Sequence, residues 1–383
     1  KTYTTLRALF EAGHSIDLFC FRETKKNMYR EETEILKFCN AVNQIYLPLT
    51  TMNYKKYMVK LAVKSIFSKL PFSIYKYQSI EMIQELKEKI QETYDVVYFD
   101  HLPMCVYLDF VRKSWRDAKI ILDEHNCEAT ITRRKANESS NILKRIFLQI
   151  EAFKLKKFES NSIQNADKTI VLSKADYEAL KLLTKKDFNH SIISIGVPDN
   201  GKKKSRTVTD RINILFVGTL TWEPNNTGLI WFLKEIIPIL EKRNVKFHLY
   251  IVGKKPSQEV IKLSESYKGQ ITITGYVESV DEYYDRCDCT IVPLFIGSGQ
   301  RVKLIEAFSK GMPAISTTIG AEGLEYENGK SILIADDKET FANKILLMNN
   351  IEFRDSMGRN CRRIYEKFYS PKVISNLIVQ SID

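Results

Sequence analysis

The residues best suited to chemistry lie in one stretch: Ile296, Gly297, Ser298, Gly299, Gln300, Arg301, Val302, Lys303, Leu304, Ile305, Glu306, Ala307, Phe308. It follows an apolar run over 290–293 that reads as a strand, and a helix is expected over 302–311. Gly297 and Gly299 free the backbone to approach a ligand. The helix that begins after Arg301 aims its first amides and the positive end of its dipole at the loop, which makes a ready anion site. Arg301 and Lys303 add formal charge suited to a diphosphate. Lys303, Glu306 and Lys310 recur at i, i+3 and i+7, which predicts a polar face, with Val302 and Ile305 toward the sheet. On that face Glu306 can accept hydrogen bonds from a ribose diol.

Other strand ends carry glycines on the same predicted edge. They are Val217-Gly218-Thr219, Val252-Gly253, and Gly275-Tyr276-Val277. Together with the 297–306 stretch they outline a ligand-binding edge. In the other half, two strands end in polar clusters, Asp100-His101 and Asp123-Glu124-His125-Asn126. The second offers an imidazole, with the carboxylates of Asp123 and Glu124 to orient it or a substrate hydroxyl. No carboxylate or histidine group has metal-ligand spacing in the sequence, so neither a metal nor another cofactor is expected.

These residues require α/β scaffolding. Strands are expected over 15–21, 44–47, 95–100, 119–123 and 168–172, then, after a polar stretch from Pro198 to Lys204, over 212–217, 246–252, 271–274, 290–293, 313–316 and 331–334. Helices fall between them over 227–243, 258–268, 302–311 and 338–349. A long one is expected over 141–161, with Ile146, Ile150, Phe153 and Phe158 at helical spacing. Alternation of this kind predicts parallel sheets in two Rossmann-like domains, 1–200 and 201–363, with a cleft between. A helix over 364–383 is expected to pack back toward the first domain. The chain opens on a helix over 4–12, capped by Gly13, where a doubly wound domain would have a strand and a glycine-rich turn. The expectation is that these precede Lys1 in the native protein.

A chain of 383 residues with 44% hydrophobic and 27% charged residues can bury ordinary cores, which excludes disorder. No apolar run approaches the roughly 18–20 residues of a membrane span, and the start is not an apolar signal segment. Seven scattered cysteines, an odd number, fit free thiols in a reducing compartment. The net charge of +11 favours polyanions. No nucleic-acid-binding motif accompanies it, so nucleic acid is not an expected partner. From Tyr54 to Tyr77 the chain carries Lys55, Lys56, Lys60, Lys64, Lys69 and Lys76 without an acidic residue, interleaved with apolar ones. This reads as a basic amphipathic helix for an anionic membrane surface. Arg133-Arg134-Lys135 and Lys144-Arg145 form a second basic cluster.

Residues 212–348 resemble the donor-binding half of family 4, group 1 glycosyltransferases, the retaining enzymes with the GT-B fold. The resemblance rests on Phe216-Val217-Gly218, Trp222-x-Pro224-Asn225, Gly275-Tyr276-Val277, Pro293-Leu294, Gly297-x-Gly299-x-Arg301-x-Lys303-x-x-Glu306-Ala307, and Glu322-Gly323-Leu324. Asp123-Glu124-His125-Asn126, Glu159 and Val171-Leu172-Ser173-x-x-Asp176 carry it more loosely into the first half. It implies transfer of a sugar, with retention, from a nucleoside diphosphate donor bound by domain 201–363, along the strand-end glycines and the 297–306 stretch, to a glycan or lipid-linked hydroxyl bound by domain 1–200, with Asp100 and His101 on the acceptor side. Glu306 would hold the ribose and His125 would touch the donor sugar. The expected setting is cell-surface polysaccharide or glycoconjugate synthesis in the cytoplasm, peripheral to the inner face of the membrane. Two departures stand out. Ser298 occupies the place of the family's first glutamate, and the usual Arg and Lys after Gly218 are absent, a role that falls to Arg301 and Lys303. An epimerase-like or non-catalytic sugar-nucleotide protein on the same fold is the alternative.

Overall fold

The computed structural model describes residues 1–23, 34–47, 54–199, 201, 210–297 and 299–382, with the side chains of 54–57 and 59 left out. Among the expected features, Ser298, Asn200, Lys202–Lys204 and the side chains of Lys55 and Lys56 lie outside the described residues. The chain forms two compact units, one of 1–193 with 375–383 and one of 194–374. The last helix is Pro371–Ile382. Its end joins the first unit, where Lys119 Nζ donates to Ile382 O at 2.7 Å and Lys168 Nζ to Ser381 O at 2.8 Å.

The first unit holds strands β1 (Asp17–Arg22), β2 (Ala41–Tyr46), β3 (Val96–Asp100), β4 (Lys119–Glu124), β5 (Lys168–Val171) and β6 (His190–Ile192). Among the described residues they make a parallel β1-β2 pair and a parallel sheet β3-β4-β5-β6. Strand β6 is not among the expected strands, because it is short and begins His-Ser. Strand β4 is buried along nearly its whole length, as a strand covered on both faces must be.

The second unit holds β7 (Ile212–Val217), β8 (Phe247–Val252), β9 (Ile271–Gly275), β10 (Cys289–Val292), β11 (Ala314–Ser316) and β12 (Ile332–Ile334). They form one parallel sheet in the order β12-β11-β10-β7-β8-β9. Strand order across the sheet reverses between β7 and β10, and in doubly wound sheets the ligand crevice opens at the carboxyl ends of such strands. Ile214, Phe216, Leu249, Ile251 and Ile291 build the core beside this point, each fully buried and each contributing about 1.5–3 kcal/mol.

Two helices differ from expectation. The helix expected over 227–243 is three pieces: Glu223–Trp231, a π-helical turn Phe232–Ile236, and Ile237–Lys242. Pro238 has no amide to give the carbonyl four residues back, and the wider turn before it absorbs the misfit. The basic segment is likewise interrupted, as helices Tyr54–Ile66 and Phe72–Tyr75 with Pro71 between them.

The long helix, Ile142–Asn165, has the expected period but the opposite orientation. Ile146, Ile150 and Phe153 are exposed, while the buried positions are Glu151, Ala152, Leu155, Glu159, Ser162 and Ile163. The inward carboxylates serve the backbone. Glu151 Oε2 accepts from Phe72 N at 2.6 Å, and Glu159 accepts from Glu128 N at 2.7 Å and Ala129 N at 3.2 Å.

Candidate functional site

In the second unit the glycine loop leads into the helix Val302–Ser309, whose N-cap is Arg301 and which no side chain caps. Its first amides therefore face the loop with their dipole uncompensated by a side-chain cap. Gly297 has φ +119 and Gly299 φ +80, conformations that L side chains rarely adopt, so the glycines are required here. A Cβ on Gly297 would also lie 2.8 Å from an Arg301 guanidinium nitrogen.

Arg301 is 6% exposed, and its guanidinium carbon stands 5.4 Å from the centre of the Trp222 ring. Lys303 Nζ donates to Asn225 Oδ1 at 2.8 Å and sits 5.0 Å above the Phe216 ring, while Asn225 Nδ2 donates to Thr219 O at 3.0 Å. Burial first, then the Arg301 cation, lowers the pKa of Lys303 to about 7. A buried guanidinium beside an amine that an anion would hold in its charged form is poised for a ligand that offsets their desolvation. Glu306 lies one turn further on and accepts a long hydrogen bond from Tyr284 Oη at 3.4 Å. Burial raises its pKa, and Tyr284 and Lys303 offset part of the rise.

The strand-end glycines are packed main chain to main chain. Gly218 N donates to Val252 O at 3.0 Å, and Gly253 N to Gly275 O at 3.0 Å. A Cβ on Gly253 would stand 1.9 Å from Gly218 O. A Cβ on Gly218 would meet Asn225 Nδ2 at 2.5 Å and Lys303 Nζ at 2.9 Å. Thr219 follows at the end of β7, Tyr276 is 75% exposed past β9, and Val277 packs into the core. So Gly218, Thr219, Gly297, Gly299, Arg301, Lys303 and Glu306 cluster around the ends of β7 and β10, with Gly253, Tyr276 and Val277 beside them.

The polar face expected on the Val302–Ser309 helix is only partly present. Val302, in the first turn, is 39% exposed, whereas Leu304, Ile305, Ala307 and Phe308 are buried. Lys310 is buried and pairs with Asp281 at 2.8 Å. Gln300, which nothing in the sequence singles out, ties the loop down. Its Nε2 donates to Ser194 Oγ at 3.0 Å and Gly323 O at 2.8 Å, and its Oε1 accepts from Ile195 N at 3.0 Å. Trp222 and Asn225 belong to a motif visible in the sequence, but only the fold reveals what they touch.

In the first unit the pairing of β3 with β4 sets Asp100 opposite Asp123. His125 Nε2 lies 3.0 Å from Asp100 Oδ1 and 3.6 Å from Asp123 Oδ2, close ion-pair contacts rather than well-aligned hydrogen bonds. Burial disfavours the imidazolium, but the two carboxylates outweigh it and raise the pKa of His125. Asp123 is buried, ion-paired with the Lys1 ammonium, and accepts from Tyr98 Oη at 2.5 Å. Burial would raise its pKa, but Lys1 and His125 bring it down to about 2. His101, at φ +85, places its ring 3.8 Å from the His125 ring. Burial, then the charge on His125, lowers its pKa.

Glu124 does not join this group. Strand alternation sends it to the opposite face, where it is fully buried, and burial with Glu159 nearby holds its pKa well above the carboxylate range. It therefore cannot orient the His125 imidazole. The expectation that no ligand-spaced cluster exists also needs correction. One ligand atom each from Asp100, Asp123 and His125 lies within 4.8 Å of the others, a set that could hold a cation. Spacing along the chain could not show this, because the trio is assembled by strand register.

Known proteins share this fold. Sucrose-phosphate synthase from Thermosynechococcus elongatus superposes with a TM-score of 0.70 at 17% identity, covering 98% of this chain and 90% of that one. HepE of Anabaena, solved in complex with UDP, gives 0.62 at 13%, covering 96% and 99%. The fold is that of the GT-B glycosyltransferases. An uncharacterized 44.6 kDa protein in the cps region of Klebsiella pneumoniae is 27% identical over 391 aligned positions, covering 98% of this chain and 93% of that protein. Residues 211–350 match the family described as "Glycosyl transferases group 1", a stretch that contains Arg301, Lys303 and Glu306, and on a GT-B fold this match supports a glycosyltransferase.

Proposed function

We propose that the protein transfers a sugar, with retention, from a nucleoside diphosphate donor to a hydroxyl of a glycan or lipid-linked acceptor. The observation that carries this reading is the uncapped N-terminus of the Val302–Ser309 helix, flanked by the buried Arg301 guanidinium and the half-buried Lys303 amine. A leaving diphosphate develops charge there, and prearranged amides and cations stabilise it without reorganisation. Glu306 accepts from the ribose hydroxyls. His125, held by Asp100 and Asp123, contacts the transferring sugar, and the Asp100-His101 strand end serves the acceptor side. No metal is required, because the protein itself supplies the positive charge. The UDP complex of HepE supports a nucleotide partner, and the Klebsiella relative supports a place in cell-surface polysaccharide synthesis. The basic segment around Lys60 and Lys64 supports work at the anionic inner face of a membrane.

The test is calorimetry with UDP and other nucleoside diphosphates, followed by NMR of the product anomer. Arg301→Ala should weaken diphosphate binding by roughly 1.5–3 kcal/mol, the worth of a charge-assisted hydrogen bond. Unchanged affinity in a folded variant sinks the donor assignment, and an inverted anomer sinks retention alone.

A further inference from the structure

The exposed apolar side chains of the long helix Ile142–Asn165 are not scattered. Ile142, Leu143, Ile146, Ile150 and Phe153 are 73, 80, 49, 41 and 59% exposed. At 100° per residue they fall within a single arc about 100° wide, on the side opposite the buried Leu155, Glu159 and Ile163. Soluble helices put such a stripe into the core. This one points it outward and turns carboxylates inward.

The stripe continues onto a second element. Lys154 Nζ donates to Ser65 O at 2.6 Å and to Ile66 O at 3.1 Å, which fastens the C-terminal end of the Tyr54–Ile66 helix to the long helix beside Phe153. That end exposes Val63 at 51%, Ile66 at 46% and Phe67 at 87%. Eight large apolar side chains on one patch exceed the scattered exposure normal for a monomer.

Charge identifies the occupant. From residue 54 to residue 80 there is no Asp or Glu, and from 139 to 158 the single acid is Glu151, which is buried against Phe72 N. Lys60, Lys64, Lys144, Arg145 and Lys157 are all exposed around the stripe, and Lys157 Nζ lies 4.5 Å over the Phe153 ring. A protein partner buried against this face would leave these cations to find individual acids. A bilayer of anionic lipid meets both features at once, with acyl chains for the stripe and headgroup phosphates for its rim.

We infer that this face is a monotopic membrane-docking surface, in which Ile146, Ile150, Phe153 and Phe67 enter the acyl region of an anionic leaflet and the flanking lysines bind its phosphates. The inference deepens the membrane part of the proposed function and rests on it. The donor assignment is tested separately by calorimetry.

The experiment is sedimentation of the full chain with vesicles of two parts phosphatidylcholine to one part phosphatidylglycerol, and with phosphatidylcholine alone. Binding should be at least tenfold stronger to the anionic vesicles. Each lysine reversed in Lys60→Glu/Lys64→Glu should lower partitioning about fivefold or more. Ile146→Ser/Phe153→Ser should lower it about a hundredfold while leaving UDP affinity unchanged, because both side chains are exposed in the free protein. Phe153→Trp should add fluorescence that brominated acyl chains quench. If Ile146→Ser/Phe153→Ser binds like the wild type, or the fluorescence added by Phe153→Trp is not quenched, insertion is wrong and only the electrostatic part survives. No preference for anionic vesicles overturns both membrane claims. So does a concentration-dependent dimer in sedimentation velocity that Ile146→Ser/Phe153→Ser abolishes, since a second copy would then be the occupant.

Discussion

Following nucleoside diphosphate affinity across pH in the wild type and in Lys303→Met isolates the least ordinary group of the proposed donor site. Burial and the Arg301 cation bring the Lys303 pKa down to about 7 in the free protein. The amine is therefore half charged at pH 7 and about 3% charged at pH 8.5. A diphosphate beside it favours the charged form, so binding must take up a proton wherever the free amine is neutral. If the ammonium form is the one that binds, the apparent affinity falls about 15-fold between these pH values, roughly 1.6 kcal/mol. The terminal phosphate does not confuse the window, because its second ionisation, near 6, is nearly complete by its lower end and acts in the opposite direction. Titration calorimetry at pH 8 in buffers of different ionisation enthalpy should report uptake of close to one proton. Lys303→Met keeps the volume and removes the charge, so it should bind more weakly at pH 7 and lose the slope. A flat wild-type profile from pH 7 to 8.5, or the same slope in Lys303→Met, would refute the reasoning.

Glu306→Gln should weaken UDP more than its 2′-deoxy analogue, since a ribose diol is the proposed partner, and equal losses would place the carboxylate elsewhere. His125→Ala should lower turnover by about a hundredfold or more while UDP affinity stays within about twofold, because the residues proposed to hold the nucleotide belong to the other unit. Intact turnover would make His125 structural and pass attention to Asp100 and His101. Chelation with EDTA should leave turnover unchanged. Loss that Mn²⁺ or Mg²⁺ restores would instead assign a bound cation to Asp100, Asp123 and His125.

Much of the second unit was legible in the sequence, for a physical reason. Strands buried on both faces read as unbroken apolar runs, and β7 spans the very residues expected, 212–217. The glycine loop and the helix start behind it were legible because glycines, basic residues and an apolar helical pattern sit within a dozen residues. What the sequence hid depends on register and on side-chain direction. Asp100 and Asp123 are 23 positions apart, and only strand pairing brings them together. Asp123 and Glu124 are neighbours whose roles separate because a strand alternates its faces. The long helix showed its period but not its orientation, since two inward glutamates that bond backbone amides overrule the apolar stripe. Gln300 looks like loop filling until its three hydrogen bonds are seen.

The contact between Gly253 and Gly218 O bears on any attempt to re-engineer the donor preference. With 1.9 Å between a would-be Cβ and that oxygen, β7 and β8 end in a joint with no clearance. A library that varies position 253 fills itself with chains that cannot close the sheet. Position 218 is different, since the obstacles are the ends of Asn225 and Lys303, and alanine there would evict the lysine from its niche without mutating it. Diversity belongs instead at Thr219 and Tyr276. There the side chains are exposed rather than in the joint, and if the proposed donor site is right, a change of shape alters what is recognised without altering what is built.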